Sequence, residues 1–107
     1  MRQGDIVTLR FPFTNLQDSK IRPALIISNE KFNQRKNLIL IGIYGTDVAD
    51  FSEKLVNEDL EEGRLQKESF VRFQNVFTLQ KDLVLQKVAR INQNKLGKIL
   101  EKLNSFF

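Results

Sequence analysis

The segment at residues 20–28, KIRPALIIS, constrains the fold most, because a proline that follows a cation leads directly into a run of apolar residues. A short apolar run such as the one from Ala24 to Ile27 is typical of a strand buried on most sides. Pro23 fixes φ and has no backbone N–H, so we expect it at the first position of that strand. The residue before a proline is extended. Arg22 is therefore expected at the strand mouth, where its guanidinium either binds a phosphate or remains a solvated charge.

The composition of the chain limits its class. With 107 residues, of which 41% are apolar, we expect one domain spanning residues 1–107 with a small core. No stretch approaches the roughly 18 apolar residues of a membrane span. The N-terminus leads into a strand pattern without the apolar region of a signal peptide, so we expect a cytoplasmic location. The absence of Cys and His removes the usual zinc ligands and the usual general base. We therefore expect no metal and no cofactor.

Charge is unevenly distributed along the chain. The net charge of +4 divides into +4 over residues 1–36, −6 over residues 47–62 and +6 over residues 63–107. We expect the acidic block to form a solvated loop region, since its carboxylates lack the spacing of a calcium-binding loop. The two basic segments suit a surface that binds a polyanion such as RNA or DNA.

Short β-strands account for most of the remaining pattern. Residues 4–13 alternate between the two faces of a strand, and residues 38–44 form a second apolar run that we interpret as a central strand. Within that run, Gly42 is expected to mark a bulge or a close backbone approach. Alternation returns at residues 69–77, and residues 83–91 form another strand-like run.

The C-terminal tail, from Gln93 onwards, has the pattern of an amphipathic helix, with Asn92 as its N-cap. Its terminal Phe106-Phe107 pair is expected to pack under the helix or against a second copy of the chain. Five or six short strands and one helix predict a small curved sheet or partly open barrel, mainly β (α+β). The apolar stripe of the helix consists of Leu96, Ile99, Leu100 and Leu103, and its solvent side of Lys95, Lys98, Glu101 and Lys102.

Two hydroxyl side chains stand where the second central strand ends. Tyr44 and Thr46 are two residues apart, so we expect them on one face at the rim of the sheet. Each also has a purely structural interpretation. Tyr44 suits the edge of the core with a wet tip, and Thr46 suits a turn in which its hydroxyl bonds its own backbone.

Further candidates for nucleic-acid binding lie near the arginine and on the later strands. Ser19 and Lys20 are candidate contacts to a phosphate backbone, and Phe13 could stack on a base, although its strand phase favours the core. Arg72 and Arg90 could extend a basic track, although both fit surface charges better.

Several short motifs follow one another in a specific order. They are Gly4-Asp5-Ile6-Val7, Phe11-Pro12-Phe13, residues 20–28, Leu60-Glu61-Glu62-Gly63, Phe77-Thr78-Leu79 with Lys81, Lys87-Val88 with Arg90-Ile91, and the C-terminal helix. Each motif is weak alone, but the ordered series covers nearly the whole chain and resembles the short PemK-like branch of the MazF/PemK family of toxin endoribonucleases. The resemblance implies an SH3-like, partly open barrel of about five to seven strands with a C-terminal α-helix, PemK/CcdB-like. It also implies a homodimer, single-stranded RNA as substrate and inhibition by an acidic antitoxin.

The resemblance also implies roles for individual residues. Arg22 falls on the family's Arg-Pro pair, whose arginine binds the scissile phosphate. The family's acid-base partner is a Thr or Ser that ends the second central strand. Tyr44 stands at that position in this chain and Thr46 lies two residues further on, so either hydroxyl could take the role. Gln17 occupies the position of an acidic residue found in some relatives, and it is a further candidate for RNA binding.

Three functions follow from these observations. We expect a metal-independent toxin endoribonuclease in which a ribose 2′-hydroxyl attacks its own 3′-phosphate, a reaction that needs no protein nucleophile. The second is a non-catalytic toxin of the same fold that binds and poisons DNA gyrase. The third is an RNA-binding homologue that has lost cleavage through the change at Tyr44 and Gly45.

Overall fold

Seven β-strands and two α-helices make up the described part of the chain. The computed structural model describes residues 1–11 and 20–107. This architecture confirms the predicted mainly β fold with a C-terminal helix. The strands are β1 (Asp5–Phe11), β2 (Lys20–Ile26), β3 (Asn37–Tyr44), β4 (Ser52–Leu55), β5 (Leu60–Gly63), β6 (Ser69–Gln80) and β7 (Gln86–Ile91), and the helices are α1 (Glu30–Asn33) and α2 (Gln93–Asn104).

The strands pair antiparallel in one curled sheet, in the order β4-β6-β3-β2-β1-β7-β5. Both faces of the sheet are buried. Ile6 and Val7 are neighbours in β1 and point to opposite faces, yet each has an exposed fraction of 0%. The helix-side core includes Ile6, Leu25, Ile41, Ile43, Val71 and Phe73 together with Leu96 and Ile99 of α2. The second core, on the other face, includes Val7, Leu9, Ala24, Ile26, Leu38, Leu40 and Leu79.

The helix α2 forms as its sequence predicts. The Asn92 side chain caps it by accepting a hydrogen bond from the Lys95 backbone N–H, which satisfies one of the free donors of the first turn. Past its end, the Phe106 ring contacts Phe73 and Phe51, whereas Phe107 is 95% exposed. No helix in residues 1–11 and 20–107 is long and apolar enough to cross a membrane.

Strand β2 differs from the prediction at its start. It begins at Lys20, so Pro23 is the fourth residue and not the first. Pro23 is tolerated because β3 pairs only with Ala24 and the two residues after it, while the first half of β2 pairs with β1 alone. The run predicted over residues 83–91 also starts later, at Gln86, because residues 81–83 form a 3₁₀ turn.

The acidic block over residues 47–62 is largely exposed, as expected, but it is not all loop. This region contains β4 and the start of β5, and three of its carboxylates form ion pairs with the basic C-terminal segment. Lys95, expected on the solvent side of α2, is largely buried and its ammonium lies 2.8 Å from a Glu53 carboxylate oxygen and 3.7 Å from Asp59. The acidic block therefore fastens β4 to α2 by charge.

Arg90 was expected at the surface, and the structure shows it buried. Its side chain is 1% exposed, and its Nη2 atom lies 2.6 Å from Oδ1 of Asp5, which is equally buried. The guanidinium also donates to the Gln3 carbonyl at 3.3 Å, and its Nε lies 3.4 Å from Glu62. Ala89 and Ile91 face the helix-side core, so Arg90 points to the other face of β7, where its partner Asp5 on β1 supplies the opposite charge that makes the burial tolerable.

Replacing Arg90 by Met should strongly destabilise the protein, because the Asp5 carboxylate would stay buried without its closest cation. We expect a loss of about 3–5 kcal/mol in the free energy of unfolding, measured by urea denaturation. The exposed Arg35 provides a matched control, and Arg35→Met should change the value by less than about 0.5 kcal/mol. If Arg90→Met lowered the free energy of unfolding no more than Arg35→Met does, the buried ion pair would contribute nothing to stability.

The Glu62 carboxylate gives the fold a modest dependence on pH. The Lys87 ammonium, which donates a hydrogen bond to Glu62 at 3.1 Å, lowers the pKa of this carboxyl below its usual value. A lowered pKa in the folded state stabilises the protein above the pKa of the unfolded chain, and this contribution disappears as the pH falls through the folded pKa.

Glu62→Gln should therefore be less stable than the parent protein near neutral pH and equal to it in acid. Unfolding free energies measured from about pH 7 to about pH 3 should converge as Glu62 becomes protonated in the parent. Glu61→Gln, which changes a neighbouring exposed carboxylate, is the control. A difference between Glu62→Gln and the parent that does not shrink in acid would contradict the assignment.

Candidate active site

The pairing of β2 with β3 brings two sequence-predicted residues together. Ala24 pairs with Gly42, which is the last pair between β2 and β3, and Arg22 and Tyr44 each lie two residues beyond it, on the faces of Ala24 and Gly42 respectively. Residues opposite each other in antiparallel strands point to the same face. Arg22 and Tyr44 both line one pocket at this edge of the sheet.

A wide bulge between β3 and β6 completes the pocket. Ile41 pairs with Val76 and Ile43 with Val71, so that four residues of β6 face the single residue Gly42 of β3. Because β6 carries three extra residues, an odd number, its side chains exchange faces at the bulge. This explains why Val71 belongs to the helix-side core while Leu79 belongs to the second core.

Gly42 provides the space that the bulge needs. A Cβ atom at this position would lie 2.7 Å from Nδ2 of Asn75 and 2.7 Å from Cε1 of Tyr44, closer than such atoms can approach. Only a residue without a side chain lets the Tyr44 ring and the Asn75 amide cross this position. The prediction of a bulge at Gly42 is confirmed, and the groups that approach it are side chains.

Tyr44 is contacted on several sides. The Asn75 amide donates a hydrogen bond to its hydroxyl oxygen. The Arg72 guanidinium stacks on its ring, with Cζ 4.0 Å from the ring centroid, and Arg72 also donates from Nη2 to the Thr46 hydroxyl oxygen at 2.7 Å. Thr46 thus supports Arg72, which in turn supports Tyr44.

The pocket combines an apolar wall with a few polar groups. Within the described residues, the exposed guanidinium of Arg22 forms no ion pair, so its charge is available to an anion. Thr46 is not among the lining residues. The apolar lining includes Leu9, Phe11, Pro23 and Phe77, and the polar lining consists of Arg22, Tyr44 and Asn75.

The other predicted binding residues fall into two groups. Lys20 is exposed and lies opposite Phe11, on the same face of β2 as Arg22. Arg72 is partly buried against Tyr44 and is not the free surface charge that the pattern favoured. Phe13, Gln17 and Ser19 lie outside the described residues.

Asn75 is the site residue that sequence reasoning missed. In the sequence it is one polar position in an alternating run, and nothing near it in the chain signals the bulge. The bulge arises because β3 and β6 are matched unequally, which is a long-range property. Gly42 was the one local signal that could have indicated it.

An arginine beside a hydroxyl on a small curled β-sheet is an arrangement that can bind a phosphate group. A family model for PemK-like, MazF-like toxins of type II toxin-antitoxin systems matches residues 2–107. The chain therefore belongs to this family. A comparison with curated protein sequences finds no match.

Solved structures with the same fold are distant in sequence. An endoribonuclease in complex with its cognate antitoxin, from a mycobacterial species, has 16% identity and a TM-score of 0.75, over 98% of this chain and 90% of that one. The Mycobacterium tuberculosis toxin MazF-mt6 has 17% identity and a TM-score of 0.74, over 95% of each chain. MazF from Deinococcus radiodurans has 18% identity and a TM-score of 0.71, over 99% and 94%. At these identities the likeness establishes the fold.

Gly42→Ala should displace Tyr44 and Asn75 and destabilise the protein by about 1–3 kcal/mol, because the added methyl group has no space. Tyr44 is the single Tyr and the chain has no Trp, so tyrosine fluorescence reports on this site alone. We expect both the fluorescence and the urea midpoint to change.

Gly97→Ala is the matched control. It lies in α2 with nothing within 4 Å of an added Cβ, so it should stabilise the protein by about 0.5–1 kcal/mol and leave the fluorescence unchanged. Equal effects of the two substitutions would contradict the packing described at Gly42.

Proposed function

We propose that this protein is a metal-independent, sequence-selective endoribonuclease that cleaves single-stranded RNA, including mRNA, and thereby inhibits translation. The observation that carries the proposal is the pocket in which the available Arg22 guanidinium and the Tyr44 hydroxyl lie on adjacent strands. Membership of the toxin family and the fold shared with solved endoribonucleases support it.

The reaction is an in-line displacement at phosphorus. The ribose 2′-oxygen attacks the adjacent 3′-phosphate, the bond from phosphorus to the 5′-oxygen breaks, and the products carry a cyclic phosphate and a 5′-hydroxyl. The nucleophile belongs to the substrate, so the protein has to orient the oxygens and stabilise developing charge. Arg22 can bind the phosphate through two parallel N–H donors. Lys20, on the same face, can contact the neighbouring backbone.

The partners follow from the same proposal. One solved structure of this fold is an endoribonuclease bound to its cognate antitoxin, and we expect an acidic antitoxin segment to cover the basic edge at Lys20 and Arg22. We also expect this protein to form a homodimer and to act in the cytoplasm, where mRNA is found.

Removing the arginine should nearly abolish cleavage. With a long single-stranded RNA in EDTA, the parent protein should cut at a short recurring sequence, and Arg22→Ala should be about 100-fold to 1000-fold slower, the usual cost of one preorganised donor. Mapping the product ends should show cyclic phosphates and 5′-hydroxyls.

Arg10→Ala is the matched control, since it removes an equal charge from an exposed β1 residue whose partner, Ile21, points away from the pocket face. It should cut within a few-fold of the parent rate. Intact RNA after incubation with the parent protein, or undiminished cutting by Arg22→Ala, would contradict the proposal and favour the gyrase-binding toxin or the inactive RNA-binding homologue.

A further inference from the structure

We infer that Tyr44 is the proton donor of this site and that Asn75 is the residue that positions it. The inference rests on the proposed function and assigns a role that the family resemblance leaves open between Tyr44 and Thr46. Three observations support it. The Asn75 amide donates a hydrogen bond to the Tyr44 oxygen, Gly42 leaves space for both side chains, and the Arg72 guanidinium stacks on the Tyr44 ring.

Thr46 lies outside the pocket lining. Strand β3 ends at Tyr44, and the Thr46 hydroxyl oxygen accepts a hydrogen bond from Arg72 at 2.7 Å. Tyr44 lines the pocket together with Arg22, and Thr46 does not. The hydroxyl that faces a phosphate held by Arg22 is therefore the phenol.

The direction of the hydrogen bond from Asn75 determines what Tyr44 can do. The amide Nδ2 donates and the phenol oxygen accepts, so the phenol's own hydrogen is free to point to a different acceptor. A phosphodiester held by Arg22 would lie at the mouth of this narrow pocket, where its oxygens are acceptors. Asn75 thus prepares Tyr44 as a donor.

One proton moves with each of the two bond changes. The bond between the 2′-oxygen and phosphorus forms, and the 2′-hydroxyl proton passes to solvent water. The bond between phosphorus and the 5′-oxygen breaks, and the departing oxygen takes the Tyr44 hydroxyl proton, which Tyr44 regains from water. Tyr is among the side chains that serve as general acids, and such catalysis typically contributes about 100-fold to 10,000-fold in rate.

The arrangement is built into the fold and does not depend on one flexible side chain. Arg72 and Asn75 are the first and last residues of the four that face Gly42, so the bulge itself delivers both contacts to Tyr44. Arg72 is anchored in turn by its pairing with Ser52 of β4. The ring and the hydroxyl of Tyr44 are therefore fixed from the same β6 segment.

The test compares Tyr44→Phe and the parent on two RNA substrates that differ at one atom. In the first, the leaving group is the natural 5′-oxygen, and in the second it is a 5′-sulfur. A thiol has a pKa of about 8.5, so the sulfur departs without being protonated. Tyr44→Phe should lose about 100-fold or more in kcat on the oxygen substrate, with little change in KM, and less than about 5-fold on the sulfur substrate.

Each other outcome overturns the inference. An equal loss on both substrates would mean that Tyr44 does not protonate the leaving group. Parent-like cutting of natural RNA by Tyr44→Phe would mean that the phenol is not needed. If the parent itself cuts neither substrate, the proposed endoribonuclease function fails, and this result is distinguishable because it appears before any variant is compared.

The positioning role of Asn75 has its own readout. Asn75→Ala should slow cleavage of the oxygen substrate by about 10-fold, the value of a typical hydrogen bond, and the sulfur substrate should restore the rate. Asn75→Asp should be slower still, because a carboxylate accepts the phenol's hydrogen and turns it away from the substrate. Gln80→Ala removes an exposed amide at the end of the same strand and should leave both rates unchanged. A loss at Asn75 that the sulfur substrate does not restore would reduce its role to packing.

Discussion

The unequal pairing of β3 and β6 at Gly42 is the constraint on which the site depends. One residue of β3 faces four of β6, and this mismatch is possible because Gly42 has no side chain to occupy the space. The mismatch also reverses which side chains of β6 face each core, so the packing of both faces of the sheet is tied to it. A single backbone feature therefore sets both the packing of the sheet and the geometry around Tyr44.

The distribution of ion pairs explains why the basic edge of β2 can serve as a binding surface. Lys87, Lys95 and Arg90 form ion pairs with carboxylates of residues 53–62 or with Asp5. Within the described residues Lys20 and Arg22 form none. The charges of Lys20 and Arg22 thus lie beside the pocket, where a phosphate would meet the Tyr44 hydroxyl as well as a cation.

Much of the fold could be predicted from local patterns. The apolar runs of β2 and β3, the cap at Asn92 and the stripe of α2 each depend on neighbouring residues, and the structure has them as expected. Arg90 and Lys95 were mispredicted because the carboxylates that hold them lie far away in the sequence. Asn75 was missed for the same reason: its contact with Tyr44 exists because two distant strands are mismatched. Arg22 and Tyr44 could be proposed from the sequence because each stands at one end of an apolar run. Arg22 comes just before the run of β2, and Tyr44 ends the run of β3.

In the proposed mechanism, Arg22 and Tyr44 together form one phosphate site. The most direct test is a crystal structure of the protein with a single-stranded RNA that carries a 2′-deoxy sugar at the cleavage position and so cannot react. Our account predicts the uncleaved phosphate on the Arg22 guanidinium, with the Tyr44 hydroxyl donating to its 5′-oxygen and Asn75 still bonded to the phenol. A phosphate seated on Arg22 with Thr46 as its hydroxyl partner, or an RNA path that avoids Arg22, would contradict it.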